Sequence, residues 1–402
     1  MLRETLEKLV DFTLEEFYEM ARSNVSSLMS KIFYYTKEIT GSNSYWNRIR
    51  QELKATIEQV GAPTIFFTLS MAEFHWPDLK KLFSLNDDAP TEEVGKLICD
   101  NPHIVDVYFT ERTEAFVKSW LYKYLGASWH WYRYEFAALR GSIYCHCLAK
   151  LTNDPGLIEL TKCALKGYLA NIFKEKNESN LSGDAIILLD FDIENGIDAE
   201  RVVCEYVDNL LTTINPIEPS LWSNPERHPC KRSFTSLSSD ENYNHDYAEM
   251  VNSVQKHTCS SMYCLRKKGN DFICRFKYPF DEFAKTHISF TKVNTKDGSE
   301  KYRAEIVTAR NDPRLNRHRV QLQGWRANCD ISVVIDYHSC LEYLTKPEKI
   351  TSVVKDAFAH LSKTVTENDV FFYFDRIVKT LMMRAVGLRD QYEHTRSLPP
   401  ST

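Results

Sequence analysis

Tyr134-Glu135-Phe136-Ala137-Ala138-Leu139-Arg140-Gly141-Ser142-Ile143-Tyr144-Cys145-His146-Cys147-Leu148-Ala149-Lys150 is the stretch on which the fold turns. Two short, half-apolar runs flank an Arg-Gly corner, the pattern of a β-hairpin. A period of two along the second run places Ser142, Tyr144, His146 and Leu148 on one face, and Ile143, Cys145 and Cys147 on the other. A histidine and a tyrosine therefore point the same way. On periodicity alone this is an ordinary sheet with one polar residue tucked against a helix, and only the flanking sequence can make it more.

Upstream, Pro63-Thr64-Ile65-Phe66-Phe67-Thr68-Leu69-Ser70 is a β-type run, apolar on both faces and so expected at the centre of a sheet. A turn containing Trp76-Pro77 and a short helix follow it. Apolar residues recur at three and four from Leu2 to about Thr36 and again at Trp46, Ile49, Leu53 and Ile57, which predicts helices. Residues 91–125 read as aromatic-rich helices, and a helix carrying Leu157, Leu160, Ala164, Leu165 and Leu169 follows the hairpin. Beyond a weaker region with one helix at Ala199–Thr213, the chain offers a helix at Tyr243–Gln255 and strands at His287–Val293, Tyr302–Ala309 and Ile331–Asp336. Helices at His338–Lys346, Ile350–Ser362 and Val370–Ala385 close the pattern. This order predicts an α+β fold, a mainly antiparallel central sheet covered by helices, with a small Cys/His loop inserted. The expected divisions are a helical segment (1–60), a first α+β part with the hairpin (61–173), an insertion or linker (174–246), the Cys/His loop (247–283), a second α+β part (284–390) and a tail (391–402).

With 402 residues, 43% of them hydrophobic and 26% charged, the chain can bury a sizeable core without crosslinks. Its net charge of -5 confines any nucleic-acid contact to local basic patches. Eleven scattered cysteines and a charged start point to reduced thiols in the cytoplasm or nucleus. No apolar run approaches the ~20 residues of a membrane span. No Gly-x-x-x-x-Gly-Lys-Ser/Thr loop occurs, so no ATP-driven motor is expected in this chain.

Three constellations could carry chemistry. His257, Cys259, Cys264 and Cys274 put one imidazole and three thiols within 18 residues, a usual zinc set; buried, reduced cysteines are the other reading. Arg266, Lys267 and Lys268 beside them form either a phosphate track or a solvated charge run. Arg310, Arg314, Arg317 and Arg319, with His318, Trp325 and Arg326, read as a loop where guanidinium forks could hold phosphates and an aromatic could stack on a base; a polar surface loop is the alternative. Finally, Tyr343 and Lys346 lie on a predicted helix, and a helical tyrosine near a metal can attack a phosphodiester.

Taken together, these pieces resemble the replication-initiator region at the N-terminus of Helitron rolling-circle transposon proteins. Pro63–Leu79 is similar to the family's first motif, and Arg133–Lys150 to its His-hydrophobic-His motif. His257–Pro279 resembles its Cys/His loop, Ala309–Lys346 the approach to its tyrosine motif, and Leu381–Asp390 the stretch after it. The resemblance implies cleavage and joining of single-stranded DNA, with two histidines and a third polar ligand holding Mg2+ or Mn2+ while a tyrosine forms a 5'-phosphotyrosyl link. Carried over, His146 is the second histidine, Glu135 a candidate third ligand and Tyr343 the nucleophile, with Lys346 in its motif. Tyr144 stands where the first histidine belongs, and Pro347 where a second tyrosine belongs. A phenol with a pKa of about 10 is a poor ligand for either cation, so the resemblance implies a degenerate initiator that binds single-stranded DNA with weak or no nicking activity. An active endonuclease using Tyr343, and a zinc-stabilised protein-interaction module that never touches DNA, are the alternatives. Nuclear residence follows from the resemblance alone.

Overall fold

The computed structural model describes residues 43–136, 142–177, 181–233, 240–261, 263–294, 300–317 and 321–345. These fall into two compact units, 43–62 with 337–345, and 63–336. Helix α1 (Asn43–Val60) belongs to the first and buries Tyr45, Trp46, Ile49, Leu53 and Ile57, the three-and-four spacing of a single helical face.

The second unit is organised by β1 (Ile65–Ser70), whose side chains are buried or half-buried on both faces. Helices α2 (Pro77–Leu82), α3 (Thr91–Asp100) and α4 (Pro102–Phe116) follow, the last running on as π-helical turns to Tyr124. The expected hairpin is β2 (Ala127–Phe136) and β3 (Ile143–Leu151). A helical pair comes next, α5 (Leu157–Asn177) and α6 (Gly183–Leu210), then α7 (Asp240–Met250), continued by a π-helical turn to Gln255. The small hairpin β4 (Leu265–Lys268) and β5 (Asp271–Cys274) precedes a longer one, β6 (His287–Asn294) and β7 (Glu300–Val307). Short helix α8 (Gln321–Trp325) leads into β8 (Cys329–Val333), and α9 (Tyr337–Leu344) returns to the first unit. There the Arg50 guanidinium donates to Thr345 Oγ1 at 2.7 Å.

The central sheet has the order β2-β3-β1-β8, antiparallel at every step. This is the expected α+β fold, with β1 in the interior of the sheet. β6 and β7 pair only with each other, so of the strands expected beyond residue 284 just β8 joins the central sheet. Residues directly opposite in an antiparallel ladder share a face. Ile65, Phe67, Leu69, Cys145, Cys147, Tyr134 and Ile331 thus make an apolar face, and Phe67 meets Trp120 edge-on while Tyr134 meets Phe109. The register brings Arg133, His146, Thr68 and Asp330 into one row across the opposite face.

Two elements depart from expectation. Within the region expected as an insertion or linker, α6 begins at Gly183 rather than near Ala199, with Ser182 accepting from the Ala185 N–H as its cap. It packs against α5 so closely that a Cβ on Gly167 would sit 2.7 Å from the Gly196 Cα, which requires both glycines. The stretch expected as an arginine-rich loop is largely interior. Trp325 is fully buried, and its indole N–H donates to the Ser70 carbonyl at 2.8 Å. Arg112 lies over the Trp76 ring and donates to the Trp325 carbonyl, while the Trp76 N–H donates to the Arg326 carbonyl. The tryptophan of the Trp-Pro turn is therefore the pin that fastens β1 to the residues before β8.

Candidate functional site

On the polar face of the sheet His146 is buried and held at both ring nitrogens. Nδ1 lies 2.9 Å from Thr68 Oγ1 and Nε2 lies 3.1 Å from Glu135 Oε2. The hydrogen bond from His146 is the main influence that lowers the Glu135 carboxyl below its ordinary pKa, so Glu135 is an anion at neutral pH. An ionised carboxylate only accepts, so Nε2 donates to Glu135, and in the neutral imidazole Nδ1 then accepts from the Thr68 hydroxyl. The Tyr144 ring lies nearly parallel to the imidazole at 6.5 Å, and Phe66 does the same at 6.1 Å. Glu135, Tyr144 and His146 are thus brought together as the sequence predicted. Asp330 joins the same row through β8 and was not singled out for the site; burial raises its carboxyl above the usual carboxylate range, opposed by Arg317 and by His146. Its only sequence signal is an acid among the apolar residues of a strand whose partner lies far away along the chain.

Tyr343 lies on α9 in the other unit and is 53% exposed. Lys346, Arg319, His318, Pro347 and the stretch 381–390 lie outside the described residues.

A second constellation closes completely. The ligand atoms of His257, Cys259, Cys264 and Cys274 all lie within 4.8 Å of one another. Zn–S bonds of about 2.3 Å set tetrahedral donors roughly 3.8 Å apart, so this donor set fits a metal such as zinc. Among the described residues no other group of three or more His, Cys, Asp or Glu gathers in this way, the His146–Glu135 pair included. Local structure aims the donors. The Ser260 N–H lies 3.2 Å from Cys264 Sγ, and Arg314 Nη1 lies 3.7 Å from Cys259 Sγ. Burial opposes ionisation of Cys274, but backbone N–H groups of Phe276 and Tyr278 outweigh it and lower the thiol below its ordinary pKa. Such N–H···S contacts are the outer support that thiolate metal sites use. Burial, with the Arg314 charge, lowers the pKa of His257 and keeps its imidazole neutral, the form that ligates.

The quartet anchors the β4–β5 hairpin, whose turn is made by Gly269 at φ +63°. Arg266, Lys267 and Lys268 are all exposed, and opposite them stand Ile273, Phe272 and Asp271. Phe272 is 64% exposed, and Arg275 lies over the exposed rings of Tyr263 and Phe276. The arginines expected to form a second phosphate track divide. Arg314 is exposed and Arg317 half-buried, the latter donating to the Ile306 carbonyl. Arg310 is buried, with its guanidinium given to the carbonyls of Asp312 and Leu315. Arg326 is buried in an ion pair with Asp246 at 2.7 Å. Neither of these two reaches a phosphate, and fully buried Trp325 cannot stack on a base.

Among the described residues no helix is long and apolar enough to cross a membrane. No curated protein matches the chain. Residues 2–149 match the family described as Helitron helicase-like domain at N-terminus, a span that includes Thr68, Glu135, Tyr144 and His146 and stops before the Cys/His quartet and Tyr343. The resemblance first carried by short motifs thus holds at the level of a domain: over residues 2–149 the chain carries a Helitron helicase-like N-terminal domain.

Proposed function

We propose that the protein is a transposon-derived, rolling-circle initiator-like protein that binds single-stranded DNA, with zinc on the Cys/His quartet ordering its binding hairpin, and that its nicking activity is weak or lost. The observation that carries this reading is the β4–β5 hairpin, where Arg266, Lys267 and Lys268 stand exposed beside Phe272. Cations that track a backbone, next to a ring on which any base can stack, suit an unpaired strand. Fluorescence anisotropy with a labelled oligothymidylate tests it. Replacing the three cations by glutamine should weaken binding and flatten the slope of log K against log salt by about 2, at ~0.7 per lost phosphate contact. Unchanged affinity and slope would favour a protein-interaction module.

The sheet face supports the reading of weak chemistry. A Mg2+ or Mn2+ ion there would need His146 Nε2, which is bonded to Glu135, and would meet a phenol at Tyr144. In the cleavage that the family implies, the Tyr343 oxygen bonds to phosphorus and the 3'-hydroxyl leaves. Incubation with single-stranded DNA and Mn2+, read on a denaturing gel, should therefore give at most a trace of covalent adduct, and Tyr144→His should raise it. A strong adduct from the unaltered protein, abolished in Tyr343→Phe, overturns the degenerate reading in favour of an active endonuclease.

A further inference from the structure

The α5–α6 pair carries two outward stripes that the DNA-binding reading does not use. On α5, Lys162, Lys166, Leu169, Phe173 and Lys176 follow one another at spacings of four and three, and all are exposed. On α6, Asp184, Ile187, Phe191, Glu194 and Asp198 do the same, with Leu188 beside them. This spacing keeps side chains on one side of a helix. The apolar members are not marginal: Phe173 is 53% exposed, and Ile187, Leu188 and Phe191 are 67, 68 and 62% exposed. Packing of α5 on α6 is centred elsewhere, on the Gly167–Gly196 contact and the Lys174–Asp190 ion pair, and of the stripe residues Lys166 reaches α6 through its pair with Asp192.

Solvated apolar side chains in a row mark an interaction surface, and the charges choose the occupant. Over residues 162–176 the α5 stripe carries lysines and over 184–198 the α6 stripe carries acids, while just beyond them Glu159 and Arg201 pair with Lys162 and Asp198. Each stripe is the complement of the other. They lie on two helices already packed side by side, so they can meet only by exchange between two copies. A two-fold axis does this: α5 of one copy faces α6 of its mate, and the same contact recurs in reverse. The result is four antiparallel-paired helices around a Leu, Ile and Phe seam with opposite charges at its rim. Existing surface pairs such as Lys166–Asp192 and Lys162–Glu159 do not oppose this, because exposed ion pairs exchange partners at little cost.

We infer that the protein forms a two-fold homodimer through the outward faces of α5 and α6. The full chain, followed by sedimentation equilibrium over a range of concentrations, should show a reversible monomer–dimer equilibrium that weakens as salt rises. Ile187→Asp with Phe191→Asp should weaken dimerisation by about tenfold or more, with circular dichroism unchanged since both side chains are exposed. Reversing charge on one stripe, Lys166→Glu with Lys176→Glu, should also weaken it. Adding Asp184→Lys and Glu194→Lys in the same chain should restore it, a rescue that general misfolding cannot imitate. A monomer at every concentration, whether another segment of the chain or a foreign partner covers the face, overturns the inference. So does a dimer that is indifferent to all these substitutions. Neither result bears on DNA binding, which the anisotropy experiment reads separately.

Discussion

An Asp246→Ala protein is expected to be less stable by about 3–5 kcal/mol, because the substitution leaves the Arg326 guanidinium charged, buried and without its counter-ion. The two side chains are 1% and 3% exposed and lie 2.7 Å apart. Asp246 also accepts from Gln323 Nε2 at 2.9 Å and stands 3.5 Å from the Arg232 guanidinium, so one carboxylate accepts two hydrogen bonds and faces a second arginine. Arg326 cannot swing out to water cheaply. It sits at φ +59° directly after α8, its backbone N–H bonds the Leu322 carbonyl, and its own carbonyl takes the Trp76 indole. Urea unfolding should show the lower midpoint with an unchanged slope. Adding Arg326→Met should recover part of the loss, since it removes the orphaned charge and keeps much of the side chain's volume. A single-substitution loss below about 1 kcal/mol would mean that water or a second acid reaches Arg326, and the assignment as a structural ion pair would fail.

The same arginine shows where sequence reading succeeds and where it stops. The period of two in Ser142–Leu148 and the doubly apolar character of Ile65–Ser70 report directly on which faces are covered, so the hairpin and the interior position of β1 were legible. The Cys/His quartet was legible for another reason: its four donors lie close in sequence, and soft thiolates with one imidazole are rarely assembled without a use. Spacing says nothing about burial, however. Arg310, Arg326 and Trp325 look like a phosphate-and-base surface in one dimension, yet they are the posts of a buried turn. Asp330 was missed because its place beside Thr68 and His146 is set by pairing between distant segments, which leaves no local pattern. The first half of α6 was missed because its apolar residues face outward, so the usual link between apolar spacing and a covered face is broken.

The largest effect is expected at the Cys/His quartet. Purified under reducing conditions, the protein should hold about one equivalent of zinc. Cys264→Ser should abolish that binding and leave the segment 257–278 without stable structure. The reason is that, among the described residues, the other contacts that order the segment are weak. β4 and β5 have four residues each, and a lone two-stranded hairpin is marginal in water. Phe272 and Ile273 face solvent instead of a core, so apolar burial contributes little there. Metal binding to such a set, with an apparent free energy of about 10–16 kcal/mol at neutral pH, far exceeds anything else the segment can muster. Since thiols and imidazole must shed protons to ligate, affinity should fall as the pH is lowered, and a strong chelator should act faster in mild acid. The loss should also spread in a defined direction. The His257 N–H donates to the Arg314 carbonyl, the Asn316 N–H to the Gln255 carbonyl, and Lys256 pairs with Asp312 at 3.0 Å, so the chain at 312–316 is tied to the segment that carries the first ligand. Hydrogen exchange should therefore show 257–278 losing protection first and 312–316 next, with the core strands β1 and β3 unaffected. Protected amides across 257–278 in a metal-free protein would remove the zinc site, and with it the account of how the hairpin proposed to bind DNA is ordered.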